Sequence, residues 1–392
     1  MIGKKAARDK ARSKAHRKSA RRAAEKESSV QQSATERRVK DVARKRYAQC
    51  TKAVEVDISM QGPRTGSRTE KTASPVAATA FVGRRQPSDW DGGLILTKDD
   101  AIKHGLRYIA WDGCEPKALL DKAGKICAVL VGSPKDKVGW AQVNDQAQSL
   151  FDQARSEFKL DPKQTTHRRG SYPAVAAGIS YGGGQTRVSN LSHSDHNEGI
   201  VSRLLQHPAI KRLAGFGDAA FKLYAPRLHA YYADTLRQLR DRDPALRPNF
   251  EGSVFGAATF NLGPQVATRV HTDYLNLPAG WCAVTAIGRF DPKRGGHLIL
   301  WDFNLMVEFP PGALVLIPSA IVRHSNTAVG PEETRSSFTQ YSAGGLFRWV
   351  ECGFRSQKDF ERLGRVHSLS GAERWQRGVQ MWSTLDELQS SS

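Results

Sequence analysis

The segment Arg269-Val270-His271-Thr272-Asp273 sets an imidazole and a carboxylate two positions apart at the end of an apolar run. Alternate residues of a strand face one side, so both side chains can reach a single metal ion. A third ligand from a distant strand completes the set. His324, in Ile321-Val322-Arg323-His324-Ser325-Asn326, lies 51 residues beyond Asp273. Two histidines and one carboxylate leave open coordination positions, the arrangement used for Fe(II) oxygen chemistry.

An H-x-D pair alone is weak, and the chain holds a second copy, His193-Ser194-Asp195. That copy sits in a polar run, Ser189 to Asn197, without strand texture or a partner ligand, and reads as loop. Arg335 distinguishes the His271 copy. It opens the strand that follows His324, eleven residues on, where an antiparallel neighbour would return its guanidinium to the metal. A 2-oxoacid cofactor chelates iron through its keto acid end, and its far carboxylate suits a planar fork of N–H donors. The competing account makes His324 and Arg335 ordinary barrel residues and His271–Asp273 a surface pair, which requires chance placement on consecutive strands.

The elements that must position these groups are β-strands. From Val254 onward, short apolar runs alternate with Gly, Pro and Asp: Val254–Phe260, Gln265–His271, Ala283–Phe290, His297–Trp301, Leu305–Phe309, Ala313–Ile317, Ile321–Asn326 and Ser336–Ser342. Eight strands at that spacing predict a β-barrel or jelly roll. Upstream, Leu94–Leu96, Tyr108–Trp111 and Ile126–Val131 read as strands and Trp140–Phe158 as a helix. Between Asp218 and Leu239 the apolar positions recur every three or four residues and predict one long amphipathic helix. Gln357–Leu388 reads as helical, with Trp375 and Trp382 as anchors. The fold class is α+β, and the expected layout is a basic tail over residues 1–60, disordered or a solvated helix, a linker over 61–92, an α+β part with a support helix over 93–250, the strand-rich core over 251–350, and a helical end over 351–392.

The net charge of +20 and pI near 9.9 favour polyanionic partners. Residues 1–48 hold 17 Lys or Arg against 5 Asp or Glu, leaving only +8 for everything after them. Clusters such as Arg21-Arg22 and Arg44-Lys45-Arg46 suit nuclear import or phosphate contact, so a nuclear location is expected. Five scattered cysteines without a C-x-x-C pair suggest neither a disulfide framework nor a zinc site and imply a reducing compartment. No run approaches the ~20 apolar residues of a membrane span, so a soluble protein with no membrane partner is expected, and a monomer is expected as well.

Longer stretches carry a resemblance. Ala258-Thr259-Phe260-Asn261-Leu262-Gly263-Pro264-Gln265, His271-Thr272-Asp273 through Asn276-Leu277-Pro278-Ala279-Gly280-Trp281-Cys282, Gly295-Gly296-His297-Leu298, Phe309-Pro310-Pro311-Gly312, Ile317-Pro318-Ser319-Ala320 and Phe338-Thr339-Gln340-Tyr341 through Trp349 resemble the TET/JBP-like 2-oxoglutarate dioxygenases. In particular they are similar to the branch expanded in basidiomycete fungi alongside transposons. The resemblance spans roughly residues 95–385, with Ile179-Ser180-Tyr181-Gly182-Gly183-Gly184-Gln185 as its early motif. It implies a double-stranded β-helix (jelly-roll) core with flanking helices, Fe(II) and 2-oxoglutarate as cofactors with O2 as co-substrate, metal roles for His271, Asp273 and His324, and cofactor roles for Arg335 and Asn261.

The implied activity is oxidation of 5-methylcytosine in double-stranded DNA, with the base extruded into the site. Tyr181, Gly183, Gly184 and Gln185, together with Tyr274, Asn276 and His297, are candidates for the base pocket. Arg168, Arg169 and Arg187 are candidates for phosphate contact. Two alternatives remain open: demethylation of 6-methyladenine or another N-methyl base in DNA or RNA by the same chemistry, and a catalytically inactive DNA-binding module; a protein or small-molecule hydroxylase is a third, disfavoured by the charge.

Overall fold

The computed structural model describes residues 46–60, 75–85 and 94–390; most of the expected basic tail lies outside them. Within the unit Cys50–Ser391 the strands are β1 (Lys52–Glu55), β2 (Arg107–Ile109), β3 (Lys117–Leu120), β4 (Ile126–Gly132), β5 (Thr166–His167), β6 (Gly170–Ser171), β7 (Ala174–Ser180), β8 (Ser189–Asn190), β9 (Ala257–Asn261), β10 (Cys282–Arg289), β11 (Leu298–Leu300), β12 (Leu305–Val307), β13 (Leu314–Ile317), β14 (His324–Asn326) and β15 (Thr334–Tyr341).

Nine strands form one sheet in the order β1-β3-β4-β13-β10-β15-β9-β7-β8, and four form another in the order β14-β11-β12-β2. At the centre of the first, β13, β10, β15 and β9 are antiparallel neighbours; in the second, β14, β11 and β12 are too. Followed along the chain, β9, β10, β13 and β15 lie in the large sheet, while β11, β12 and β14 lie in the small one. Those alternating crossings make the core a double-stranded β-helix, as expected. The stretch Gln265–His271 would complete the small sheet but makes only two isolated bridges, Gln265 to Arg335 and His271 to His324. The Asn326 amide takes over the missing ladder bonds: its Oδ1 accepts from Thr268 N–H at 2.9 Å and its Nδ2 donates to Val266 C=O at 3.1 Å.

Alternation along the strands decides which residues line the inside. Phe338, Phe260 and Val175 face out, buried with Phe151, Leu213 and other residues of the covering helices Lys137–Glu157 and Pro208–Tyr224. Arg335, Ser337, Thr339 and Tyr341 of β15 therefore face in, opposite Gly288, Ala286 and Val284 of β10 and beside Asn261 and Thr259 of β9. Small residues on β10 leave room, and the polar row on β15 makes that room hydrophilic.

Three expectations are corrected. The helix predicted over Asp218–Leu239 is two, Pro208–Tyr224 and Pro226–Arg242, because Pro226 lacks an N–H and its ring excludes a continuous helix through Ala225, which sits at φ −140° and ψ 63°. Leu94–Leu96 forms no strand and leads into the helix Lys98–Lys103 behind the Thr97 cap. The compositional boundaries at 60 and 92 also cut through packed structure. β1 runs parallel to β3, and within residues 75–85 Phe81 is fully buried while Gly83 N–H donates to Tyr274 C=O at 2.7 Å. The helical end comprises Gln357–Arg362, Gly371–Gln380 and Leu385–Ser390, and Trp375 and Trp382 are both buried.

Segment 75–85 thus braces the metal motif from outside. A Cβ on Gly83 would stand 2.2 Å from Ala320 C=O and 3.4 Å from the Tyr274 Cα. Both obstacles are backbone, which cannot rotate aside. Gly83→Ala is expected to destabilise the fold by about 1–3 kcal/mol, measured by urea unfolding; an unchanged midpoint would show that this contact does not hold the segment.

Candidate functional site

His271 and His324 exchange both backbone hydrogen bonds, N–H to C=O at 3.0 and 2.9 Å, which brings strands distant in sequence to one point. Their rings stand 4.3 Å apart. Asp273 is fixed one step on by its N–H to Ser319 C=O at 2.8 Å. Its carboxylate oxygens lie 3.9 Å from His271 Nε2 and 3.8 Å from His324 Nε2. One ligand atom from each of the three lies within 4.8 Å of the others, and among the described residues this is the single such cluster.

The tautomers are set by the backbone. His271 Nδ1 lies 2.7 Å from Arg269 C=O, and His324 Nδ1 lies 2.8 Å from Val322 C=O. A carbonyl only accepts, so each Nδ1 carries the proton and each Nε2 presents its lone pair toward Asp273. Burial depresses both imidazoles, His271 further through its neighbour His324. Burial by itself would raise Asp273, but His271, His324, Arg169 and Arg168 together hold it well below the usual carboxylate range. At neutral pH the site therefore presents two neutral imidazoles and one carboxylate, the protonation state that a divalent metal requires.

Arg335 is the second feature. Only 3% exposed, it faces the barrel interior, and Nη1 donates to Val266 C=O at 3.0 Å. Its Nε is buried without a partner, and no carboxylate among the described residues pairs with it. Burial lowers it to about 10. A buried guanidinium without an anion carries a desolvation cost that an incoming carboxylate relieves. Around it are further unmatched buried atoms, Asn261 Oδ1 and Tyr172 Oη, while Asn261 Nδ2 donates to Ser337 Oγ at 2.9 Å. The Tyr172 ring and the Ala267 carbonyl both lie against Gly170, and Ala267 is one residue from Val266, whose carbonyl accepts from Arg335. This polar end suits the far carboxylate of a dicarboxylate chelated at the metal.

The hairpin of β5 and β6 covers the same region. Arg169 C=O accepts from Arg269 N–H at 2.8 Å. Gly170, at φ +153°, lets the hairpin close: a Cβ there would stand 2.6 Å from Ala267 C=O and 2.8 Å from the Tyr172 ring. Arg168 donates to Thr272 C=O at 2.9 Å, places Nη2 3.7 Å from Asp273 and lies over the Tyr274 ring at 5.6 Å. The charge of Arg169 is felt by Asp273 and Tyr172. His167 sits edge-on to Tyr172 at 4.8 Å, lowered to about 4 by burial and then by Arg169. Tyr172 and His167 escape sequence reading, because a two-residue strand pair has no periodicity to detect. Ser337 was legible in principle, standing two residues after Arg335 and so on its face.

The other candidates divide. Arg169 and Tyr274 lie at the metal centre. Asn276 donates to Cys282 Sγ at 3.3 Å and Ser319 Oγ at 3.4 Å, so it braces the loop behind Asp273. Tyr181 packs edge-on to Trp349 at 4.9 Å, Gln185 donates to Ser189 Oγ at 2.8 Å, and Gly183 and Gly184 have positive φ in an open turn; no contact joins these four to the metal residues. Arg187 lies in a groove with Trp349 and Phe354. His193-Ser194-Asp195 starts the helix Asp195–Gln206, Ser194 capping it.

His297 is corrected from base contact to packing. It shares parity with Ile299, which is buried against Leu96 and Leu106 on the outer face of the small sheet. Its ring lies 5.9 Å from Tyr108, and Nδ1 is 2.9 Å from Thr327 Oγ1. Burial, then Lys98, lowers it to about 4. An unfolded histidine titrates near 6.5, so the fold binds fewer protons than the unfolded chain once pH drops below that value. Stability present above pH 6.5 is therefore expected to fall by on the order of 1–3 kcal/mol as pH approaches 4. His297→Gln should flatten that loss in urea titrations run from pH 7 to 4, and an unaltered pH slope would contradict the assignment.

No helix among the described residues is long and apolar enough to cross a membrane. No family model and no curated protein matches this chain. Solved structures with some likeness include NgTET1 in complex with 5mC DNA (13% identity, TM-score 0.44, covering 69% of this chain and 99% of that one). Others are a 2OG-Fe(II) oxygenase-family oxidoreductase from Burkholderia pseudomallei (17%, 0.29, 53% and 92%) and OsALKBH1 (13%, 0.26, 52% and 91%).

Proposed function

We propose that this chain is an Fe(II)- and 2-oxoglutarate-dependent dioxygenase that oxidises the methyl group of 5-methylcytosine in DNA. The observation that carries the chemistry is the pairing of a His271–Asp273–His324 cluster, its two histidines buried, with a buried, anion-free Arg335 inside one barrel. When bound, Fe(II) and 2-oxoglutarate supply oxygen activation, the cofactor leaving as succinate and carbon dioxide. His271, Asp273 and His324 would hold the metal and leave room for further ligands. Arg335 would receive the far carboxylate, with the Tyr172 hydroxyl as a second donor, and burial would keep bulk water from that end. Arg168 and Arg169 add positive charge beside the metal beyond what one carboxylate neutralises, which favours a polyanionic substrate. A base inside a duplex cannot reach such a centre, so it enters extruded. Nuclear residence, from the basic clusters of the tail, belongs to the same reading.

The test is incubation of iron-loaded protein with 2-oxoglutarate and duplexes carrying 5-methylcytosine or 6-methyladenine, reading nucleosides by mass spectrometry beside His271→Ala. Oxidised cytosine absent from the control is the expected result. Loss of methyladenine alone would keep the chemistry and replace the substrate. Bound DNA with neither base altered would leave a binding module.

A further inference from the structure

A second basic feature shares no residue with the metal centre. A groove of about 220 Å³ is lined by Arg187, Arg242, Trp349 and Phe354, with Asp243 as its one acid. Arg242 lies over the Phe354 ring at 5.9 Å, and Arg348 lies over Tyr181 at 5.8 Å, itself edge-on to Trp349. Arg355 and Arg365 approach from the far side of Gly353, each 3.9 Å from where its Cβ would be. None of these five arginines has a carboxylate partner within ion-pair distance among the described residues. Other surface arginines, among them Arg155, Arg203, Arg212, Arg227, Arg237 and Arg294, make ion pairs, so the groove is set apart by the gathering of its arginines around two aromatic rings.

The backbone holds this feature in a costly form. Phe354 adopts φ +61° directly after Gly353 at +69°, a conformation that costs a bulky residue on the order of 1–3 kcal/mol. Its N–H donates to Trp349 C=O at 2.8 Å, which keeps its ring beside Trp349 and under Arg242. Stacking occupies the face of a guanidinium and leaves its in-plane N–H donors for a phosphate.

Position matters as well. Tyr181 follows the last residue of β7, and that end of β7 lies across β9 from Tyr341, since Ala257 pairs with both Gly178 and Tyr341. Tyr341 leads into Ala343, which bridges Asn276; the Asn276 N–H donates to Asp273 C=O at 2.8 Å and the Leu277 N–H to Ser342 C=O at 3.2 Å, while the Tyr181 carbonyl lies against Gly345. The groove therefore flanks the end of the barrel at which the metal centre lies.

We infer that the groove of Arg187, Arg242, Trp349 and Phe354 is a phosphate-backbone contact that holds nucleic acid beside the metal centre; this rests on the nucleic-acid reading above. The experiment measures binding of a labelled duplex to the full chain by fluorescence anisotropy over a salt series. It compares wild type, Arg187→Glu/Arg242→Glu, the milder Arg187→Gln/Arg242→Gln, and a charge-matched control, Lys103→Glu/Lys211→Glu, each shown folded by circular dichroism and competent to bind 2-oxoglutarate. Both groove variants are expected to bind at least tenfold more weakly, and the slope of log K against log salt should fall by about two, roughly one for each lost phosphate contact. The control should keep the wild-type slope. Equal affinity and slope in wild type and groove variants would overturn the inference while leaving the catalytic reading intact. Wild type that binds 2-oxoglutarate but no DNA would overturn both the inference and the nucleic-acid reading. Groove variants that lose binding to phosphatidylserine vesicles but not to DNA would assign the groove to a membrane surface instead.

Discussion

Asp273→Ala is expected to abolish stable metal retention and to lower 2-oxoglutarate turnover by about 10³-fold or more, because the carboxylate is the only anionic member of the triad. The geometry sharpens the expectation. His271 and His324 stay locked through Nδ1 to their own strands' carbonyls, so the variant keeps two oriented imidazoles and loses only the charge between them. Asp273 also faces Arg168 and Arg169, so the metal-free variant should melt below wild type as well. Metal per chain after dialysis, on protein shown folded by circular dichroism, separates the two effects. Stoichiometric iron retained by folded Asp273→Ala would mean that the metal centre lies elsewhere.

Arg335→Met is expected to show the opposite relation between stability and binding. The side chain is buried with one backbone hydrogen bond and no anion, so its charge is a cost in the metal-free, cofactor-free fold. An isosteric apolar replacement should leave the melting temperature unchanged or raise it. The Val266 carbonyl keeps a donor in Asn326. Affinity for 2-oxoglutarate should drop by roughly 2–4 kcal/mol, some 30- to 1,000-fold, through loss of a buried charge-assisted contact. Arg335→Lys should fall between, since an ammonium offers charge without the planar fork. Anaerobic titration calorimetry with Fe(II) present measures the affinity, and thermal unfolding without cofactor measures the cost. Unchanged 2-oxoglutarate affinity, or a large drop in cofactor-free stability, would make Arg335 a structural residue.

Much of the core was legible because strands alternate at period two. Seven of the eight apolar runs after Val254 coincide with strands to within a few residues; the eighth, Gln265–His271, forms only isolated bridges, one of which joins His271 to His324 at the start of β14. Reading went wrong where local pattern and chain geometry part. Apolar spacing runs unbroken through Pro226, yet its ring ends one helix and starts another. Residues 75–85 look like linker by composition, yet Phe81 is fully buried, because burial there depends on a cavity built by residues hundreds of positions away. His297 stands at a strand start, as expected, but its parity turns it outward.

From the sequence alone come the metal triad, the guanidinium that suits a dicarboxylate, the strand-rich core and the uneven charge, because each depends on residue type and short-range period. The three-dimensional packing alone decides the rest: that Arg335 lacks an anion, that Tyr172 and the hairpin Thr166–Ser171 close over it, and that five arginines gather around Trp349 and Phe354. These depend on which distant segments share a solvent-excluded space, and side-chain parity and burial are properties of that space rather than of any stretch of chain.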